Sequence, residues 1–551
     1  MKLKKYSIIA LAALAFTACD DVDNQIYEGG SLTADQLQEV NEATPSRAEA
    51  LFTGMFTMMG EPKGCLGLSR PDDYGFVMMA LSNDVEASDA WFDDSGYNWF
   101  SVCGEWSSRN ANYANPNIRY IAPYKQMKIA NDVLRNYSAE STDENIINHR
   151  AQARALRAFD LMQLASAYAF NYVDHKDALC VPIVTEDTPD CTNNPRATVA
   201  EVYEQIMSDL NFACEKLENY KPENKNMVSG AVAYGLRARA NLAMENWDAA
   251  AADAQKAIEL SGATPASIEE VSTPTFCSNG EHNWLWGYDM TVDMANSYPY
   301  GTCCSWTSSF SAWAYAASAG VYLHVNKLLF DKIPATDVRK GWWLDENMHS
   351  PLLSTISWNG VTGDEIAPLL IEDVKEPMTV YTNVKFGMKS GIGSEVNNND
   401  WPFMRVEEMI LIKAEGQIKS GKVAEGKKTL ESFVKTYRDP NYSLDAKLAS
   451  GLADVTEGLY NEIWFQRRVE LWGEGFGMSD IMRLKKPVVR YHSSSDPYPA
   501  AFQFNVKYED PYMLLRFPQA EMDNNSAIVD NTGGSQPEAG QNPDLRDGVT
   551  D

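Results

Sequence analysis

One spacing recurs along this chain. Tyr124, Met127, Asn131 and Leu134 step by 3, 4 and 3 residues, as do Tyr203, Ile206, Leu210 and Ala213. Trp247, Ala250, Ala254 and Ala257 repeat the pattern, and Val423, Gly426, Leu430 and Phe433 repeat it again. Such stepping places four side chains on one face of a helix. Each stretch is preceded by another amphipathic or alanine-rich segment, at 46–59, 145–170, 228–244 and 404–419. In the last two cases only Glu245–Asn246 and Ser420–Gly421 intervene. A helix, a tight turn and a second helix cannot bury an apolar face alone, so such pairs must stack. The chain is therefore expected to be mostly α.

Helix pairs with small or aromatic residues at these offsets carry the tetratricopeptide signature. Four such pairs are expected, two of them stretched by insertions at 60–117 and 171–197. Residues 261–400 are rich in Gly, Pro, Ser and Trp and lack sustained helical periodicity. They are expected to form a large irregular subdomain with short strands such as Met378–Met388. The domain reading is then 46–260 for pairs one to three and 261–400 for the irregular subdomain. Residues 401–490 hold pair four and a further helix, Glu457–Glu474, and 491–551 an irregular C-terminal segment. With 551 residues, the length fits several packing units or one repeat array.

The N-terminus reads as an address. Lys2, Lys4 and Lys5 precede the apolar run Ile8–Phe16, which is too short to span a bilayer. Thr17 and Ala18 then lead to Cys19, as in a bacterial lipobox, so 1–18 is expected to be a signal peptide and Cys19 the lipidated residue. An ordinary cleaved signal with a chance cysteine is the other reading. Residues 19–45 form the tether, and Asp20, Asp21 and Asp23 resemble the surface-export signal of Bacteroidota lipoproteins. Acidic residues outnumber basic ones, 76 to 47, for a formal charge of −29. That charge disfavours nucleic acid and binding to anionic membranes by electrostatics alone.

Enzyme motifs are missing. The six histidines, at 149, 175, 282, 324, 349 and 492, form no HExxH or other close pair. There is no GxSxG, GxGxxG or CxxC. Gly421-Lys-Val-Ala-Glu-Gly426-Lys427-Lys428 falls one residue short of a P-loop and has no preceding strand, so it reads as a helix start. Asn397-Asn-Asn-Asp400 carries oxygen ligands suited to calcium, with a polar loop the better reading. Carboxylate pairs such as Asp72–Asp73 are expected by chance among so many acids. The reading assigns no catalytic residue, metal or cofactor. Cys180 and Cys191 either close a loop as a disulfide or remain thiols.

Several strings resemble the SusD/RagB family of surface lipoproteins. Arg154-Ala-Leu-Arg157-Ala-Phe159, running on to Leu164 and Tyr168, is similar to the family's third helix. Ala197-Thr-Val-Ala-Glu-Val-Tyr203 with Ile206 and Leu210 is similar to its fourth. Pro402-Phe-Met-Arg405-Val-Glu407 through Ala414-Glu415 matches a further helix. Gln466-Arg467-Arg468-Val-Glu470-Leu471 with Glu474-Gly475 and Asp480 matches another, and Gln541-Asn542-Pro543 sits near the end as in the family. Gln466 and Gly477 depart from the pattern, as does the weak Arg516-Phe-Pro518 turn. The resemblance implies four tetratricopeptide-like helix pairs in a right-handed superhelical scaffold packed against a variable region. It also implies a non-enzymatic, lipid-anchored nutrient-binding protein at the cell surface, closing as a lid over a SusC-like TonB-dependent transporter in the outer membrane. The ligand would be an oligosaccharide or an oligopeptide. A surface glycoside hydrolase and a pure scaffold are the competing classes.

The tryptophans then suggest where ligand sits. Ten of the 14 lie in the inserts: Trp91, Trp99, Trp106, Trp284, Trp286, Trp306, Trp313, Trp342, Trp343 and Trp358. Irregular segments run over surfaces, and aromatic rings there stack on sugars or peptides. Each ring can equally serve the insert's own core, so the expectation belongs to the set. In the family the site is built from the loop after the first helix and from the large insert, which correspond here to 84–106 and 284–315. The candidates are Trp91, Trp99, Trp284, Trp286, Trp306 and Trp313, with Asn83, Asp89, Asn98 and Asn283 as polar partners.

Overall fold

The computed structural model describes residues 45–551 apart from 95–98, 372–373, 450–454, 494–497, 532 and 534–535. The expected signal peptide, Cys19, nearly all of the expected tether, and Asn98 lie outside the described residues. Helices of eight or more residues are α1 (Pro45–Thr57), α2 (Gly75–Glu86), α3 (Ala114–Asn136), α4 (Glu144–Tyr168), α5 (Val199–Leu217) and α6 (Gly230–Ala243). They continue as α7 (Trp247–Ser261), α8 (Val406–Lys419), α9 (Val423–Tyr437), α10 (Val455–Glu470) and α11 (Gly477–Leu484). The fold is mostly helical. Contacts cluster residues 52–551 into one unit. No helix among the described residues is long and apolar enough to cross a membrane.

From α3 to α9 each helix packs against the next in sequence. The local reasons lie in the sequence. Thr198 and Glu201 form a reciprocal capping box that starts α5. Asp143 and Ser229 cap α4 and α6 through their side-chain oxygens. Gly262, in the left-handed region at φ 63°, ends α7. Close crossings need glycine. A Cβ on Gly416 would lie 2.5 Å from the Trp247 carbonyl of α7, and one on Gly426 2.8 Å from the Ala414 carbonyl of α8. The near-P-loop is thus the α8–α9 turn followed by a helix crossing, where Gly426 allows close contact.

The insert between α7 and α8 leaves this stack and returns to it. Strand β2 (Trp284–Tyr288) pairs antiparallel with β6 (Trp401–Arg405), Trp284 opposite Arg405 and Tyr288 opposite Trp401. That pairing delivers α8 back onto α7. The first insert is sewn to the second by β1 (Ala90–Phe92) against β3 (Leu323–Val325), with Trp91 opposite His324. A hairpin, β4 (Ser357–Trp358) and β5 (Val361–Thr362), lies further along. The expected strand Met378–Met388 is instead extended chain making isolated bridges at Thr382, Asn383 and Phe386.

Two further features depart from the sequence reading. The first insert contains α2, in which eleven residues from Gly75 to Glu86 are buried. A helix buried all round shows no amphipathic period. Second, the eight described cysteines are free thiols, Cys180 buried and Cys191 exposed, so the candidate bridge is not formed.

A buried ionic cluster joins the inserts to the helices. Arg405 bonds Glu474 at 2.8 Å and pairs with Glu407 at 2.9 Å, and Arg438 bonds Glu470 at 2.8 Å. Arg339 and Lys385, both from the large insert, reach Asp337 and Glu474 at 2.6 and 2.7 Å. These eight side chains are all buried, four cations against four anions. Burial pushes the Glu470 carboxyl up, but Arg438, Arg405 and Arg339 outweigh it and hold it well below the usual range.

Candidate functional site

Aromatic rings gather where the two inserts meet. Trp313 is 42% exposed, and its ring lies parallel to Tyr300, 6.1 Å away at 11°. Tyr300 meets Tyr315 edge-on at 5.5 Å and Tyr298 at 6.4 Å. Tyr315 stacks on the buried Trp306 at 4.3 Å and 7°, which anchors the surface rings to the core. Tyr298 donates to the Ser69 carbonyl, and the Lys63 ammonium sits 5.0 Å above its ring. On the same first-insert loop the Arg70 guanidinium lies 4.9 Å over the half-buried Trp99 while bonding Asp72 through both Nε and Nη2. Burial raises the Asp72 carboxyl even so.

The platform is carried by two loops held together from below. The Asn397 side-chain amide donates to the Pro299 carbonyl at 2.8 Å and to the Trp313 carbonyl at 2.7 Å. Its own oxygen accepts from Ser311 Oγ. One buried amide therefore fixes the tyrosine loop against the tryptophan loop. Asn399 and Asp400 are spent likewise: Asn399 donates to the Gly387 carbonyl, and Asp400 accepts from the Asn279 and Met290 amides and from Lys389. The Asn397–Asp400 string is a polar loop that supports the platform, and its oxygens face protein donors. Among the described residues no group of three His, Cys, Asp or Glu forms a metal site.

Of the ten candidates, the structure brings Trp313 and Trp99 to the surface. Asn98 lies outside the described residues, and the other seven are placed as follows. Trp284 and Trp286 are buried on β2, and Trp286 donates to the Asn226 carbonyl between Phe159 and Phe403. Trp306 is buried, with its indole N–H on the Pro71 carbonyl. Trp91 is buried, stacked on His324 at 4.1 Å and packed against Tyr498 and Phe502. Asn283 is spent on Glu407, Asn83 on Arg119, and Asp89 on a two-bonded pair with Arg468. Trp91, Trp284 and Trp286 are inside because strand pairing closes β1 and β2 onto neighbouring chain. Tyr298, Tyr300 and Tyr315 were missed. Their signal was present: Ser297-Tyr298-Pro299-Tyr300-Gly301 puts two aromatics in a turn sequence.

Comparison with known proteins agrees with this architecture. A profile described as starch-binding, associating with the outer membrane, matches residues 73–242. A SusD family profile matches residues 368–533. The chain belongs to the SusD family. This is a family of carbohydrate- and nutrient-binding proteins associated with the outer membrane, not an enzyme family. Among solved structures, a SusD-like carbohydrate-binding protein from Bacteroides vulgatus has a TM-score of 0.70 at 23% identity, over 88% of this chain and 97% of that one. A SusD superfamily protein from Bacteroides thetaiotaomicron has a TM-score of 0.66 at 21% identity, over 88% and 99%. A putative sugar-binding protein from Bacteroides vulgatus gives 0.67 at 21%, over 88% and 98%. At these identities the likeness concerns the fold. No curated protein matches the chain.

Proposed function

We propose that this SusD family member captures oligosaccharide at the cell surface on the Tyr298–Tyr300–Trp313 platform and passes it to a SusC-like TonB-dependent transporter, over which it closes. The observation that carries the reading is the exposed Trp313 ring parallel to Tyr300. A sugar's C–H face stacks on such rings, and flanking polar groups such as Lys63 and Arg70 bond its hydroxyls. Catalysis is not part of the proposal. The lipobox supports anchoring through Cys19, which would keep the platform at the outer membrane.

The test is a binding screen of glycans and oligopeptides on soluble protein beginning after Cys19, run beside Trp313→Ala. Oligosaccharide binding that Trp313→Ala weakens supports the proposal. Peptide binding alone would replace the ligand class, and glycan binding unchanged by Trp313→Ala would remove the platform. Anchoring is read separately: Cys19→Ala should release the protein from the membrane fraction. Partnership is read by co-purification of a β-barrel transporter in mild detergent under native expression.

A further inference from the structure

The platform rings sit on two loops, and the segment 391–400 bonds to both of them in different ways. The tryptophan loop is tied to it by backbone. The Gly393 amide donates to the Phe310 carbonyl at 2.8 Å, and the Ala312 amide donates to the Ser394 carbonyl at 3.1 Å. The tyrosine loop is fastened on one side to the first insert, where Tyr298 donates to the Ser69 carbonyl and Lys63 donates to the Ser297 carbonyl. Its Pro299 carbonyl, between Tyr298 and Tyr300, accepts from Thr302 of the same loop at 3.3 Å and from the Asn397 side-chain amide at 2.8 Å. The same amide nitrogen donates to the Trp313 carbonyl at 2.7 Å.

Two carbonyl oxygens from different loops converge on one nitrogen, so that nitrogen must supply two protons. Among side chains of this size a primary amide does so. Leucine and an ionised aspartate offer no donor, and a protonated aspartic acid offers one. The amide is also held against turning over. Ser311 Oγ donates to its oxygen at 2.5 Å while accepting from the Trp313 backbone amide at 3.3 Å. A turned amide would set its oxygen against two carbonyl oxygens. Asn397 and Ser311 are both buried, so water does not compete for these bonds. The segment that carries Asn397 is itself fixed, through Asn399 on the Gly387 carbonyl and Asp400 on the Asn279 and Met290 amides. Loss of the Asn397 amide would therefore free the tyrosine loop and leave the tryptophan loop on its two backbone bonds. The geometry that would change is that of Tyr300 and Trp313, parallel within 11° at 6.1 Å.

We propose that Asn397 is the positioning residue of the platform: it sets the Tyr300–Trp313 geometry, and through it ligand affinity, without touching ligand. This role rests on the platform being the ligand site, and the two are told apart by the variants below.

The experiment uses the soluble chain beginning after Cys19, labelled with fluorotryptophan, with the Trp313 fluorine resonance assigned by its loss in Trp313→Phe. Asn397→Asp is compared with Asn399→Asp. The control residue is equally buried on the same segment, and its side-chain amide donates to the Gly387 carbonyl, outside both loops. The probes are maltohexaose, cellohexaose, xylohexaose and mannohexaose, followed by calorimetric titration. Both substitutions are expected to lower the melting temperature. Asn397→Asp alone is expected to move the Trp313 resonance and to weaken binding of any probe the wild type binds by about tenfold. Equal effects of the two variants on resonance and affinity overturn the role, because a merely structural residue would do as much from either position. Should the wild type bind none of the four, the resonance decides: moved in Asn397→Asp and unmoved in Asn399→Asp supports the role, and any other pattern rejects it. Asn397→Ala, which removes the amide without adding charge, takes over if Asn397→Asp does not fold. Failure of both to fold overturns the role, since Asn397 would then hold the fold and not the platform. Trp313→Ala separates the two failures. If it binds a probe as well as the wild type does, the platform reading fails and takes this role with it. If it is defective while Asn397→Asp behaves like Asn399→Asp, the role of Asn397 fails alone.

Discussion

Trp306 and Trp313 are seven residues apart and do different work. Trp306 has no exposure and its indole N–H is satisfied by Pro71, whereas Trp313 is 42% exposed. Trp306→Ala should therefore lower stability by about 3–5 kcal/mol, the usual result of emptying a core tryptophan site. Trp313→Ala should leave the melting temperature unchanged and weaken oligosaccharide binding by about 2 kcal/mol, roughly thirtyfold. Calorimetric titration and thermal melts on both variants separate the two, and reversed outcomes would refute the assignment. A second residue gives a pH signature. Asp84 is buried, and burial pushes its carboxyl up to about 7 although the Gly475 and Gly477 amides donate to it. A folded-state value above the unfolded one means that the folded chain holds the proton longer. Its contribution is complete below the unfolded value of about 4 and is lost as pH rises through 7. Asp84→Asn removes that dependence. The stability difference between wild type and variant should fall by about 4 kcal/mol from pH 4 to pH 8. A difference that stays flat across that window would contradict the raised carboxyl. Neither the exposure of Trp313 nor the burial of Trp306 was legible in the chain, because both are tryptophans in one irregular segment. Only packing against Tyr315 and the first insert tells them apart.

Among the elements, legibility followed periodicity. The stepped residues of α5, α7 and α9 mark one apolar face each, and the stretches 46–59, 145–170, 228–244 and 404–419 lie within a few residues of α1, α4, α6 and α8. α2 was not legible, because it is buried on every side. The Asn397–Asp400 string was legible as polar, but its purpose was not. Asn397 acts on Pro299 and Trp313, which lie 98 and 84 residues away in sequence. The glycines of the helix crossings give a sharper test. Alanine favours a helix over glycine by about 1 kcal/mol. At Gly54 of α1 nothing lies within 4 Å of an added Cβ, so Gly54→Ala should be stabilising by up to that amount. At Gly416 the added Cβ would meet the Trp247 backbone oxygen at 2.5 Å, and a backbone atom cannot swing aside. Overpacking of this kind costs about 1–3 kcal/mol, which exceeds the propensity gain. Gly416→Ala should thus lower the denaturant midpoint while Gly54→Ala raises it. A stabilising Gly416→Ala would mean that α7 and α8 do not cross this closely.

At the scale of residues 52–551, the question is whether the large insert is a separate module or part of the same cooperative unit. Composition marked 261–400 as a subdomain, and its irregular chain fits that description. The ionic cluster argues that it does not unfold alone. Arg339 and Lys385 belong to the insert, and their carboxylate partners Glu470 and Glu474 belong to the end of α10 and the turn after it. Opening the insert would leave Glu470 and Glu474 short of cations in an apolar surround, and the desolvation penalty of each charge would then stand uncompensated. The β2–β6 pairing adds backbone bonds between the two ends of the insert. The insert and the helical stack should therefore melt in a single calorimetric transition. Arg339→Met removes one cation while nearly preserving volume. It leaves Asp337 without its partner and Glu470 with only Arg405 and Arg438. Removing one member of a buried ion pair destabilises by about 3–5 kcal/mol. The expected result is one transition at a markedly lower temperature, with no earlier shoulder. If Arg339→Met instead splits the melt in two, the lower event carrying the signal of insert tryptophans such as Trp343, then the cluster is only a local fastening and the insert is a domain in its own right.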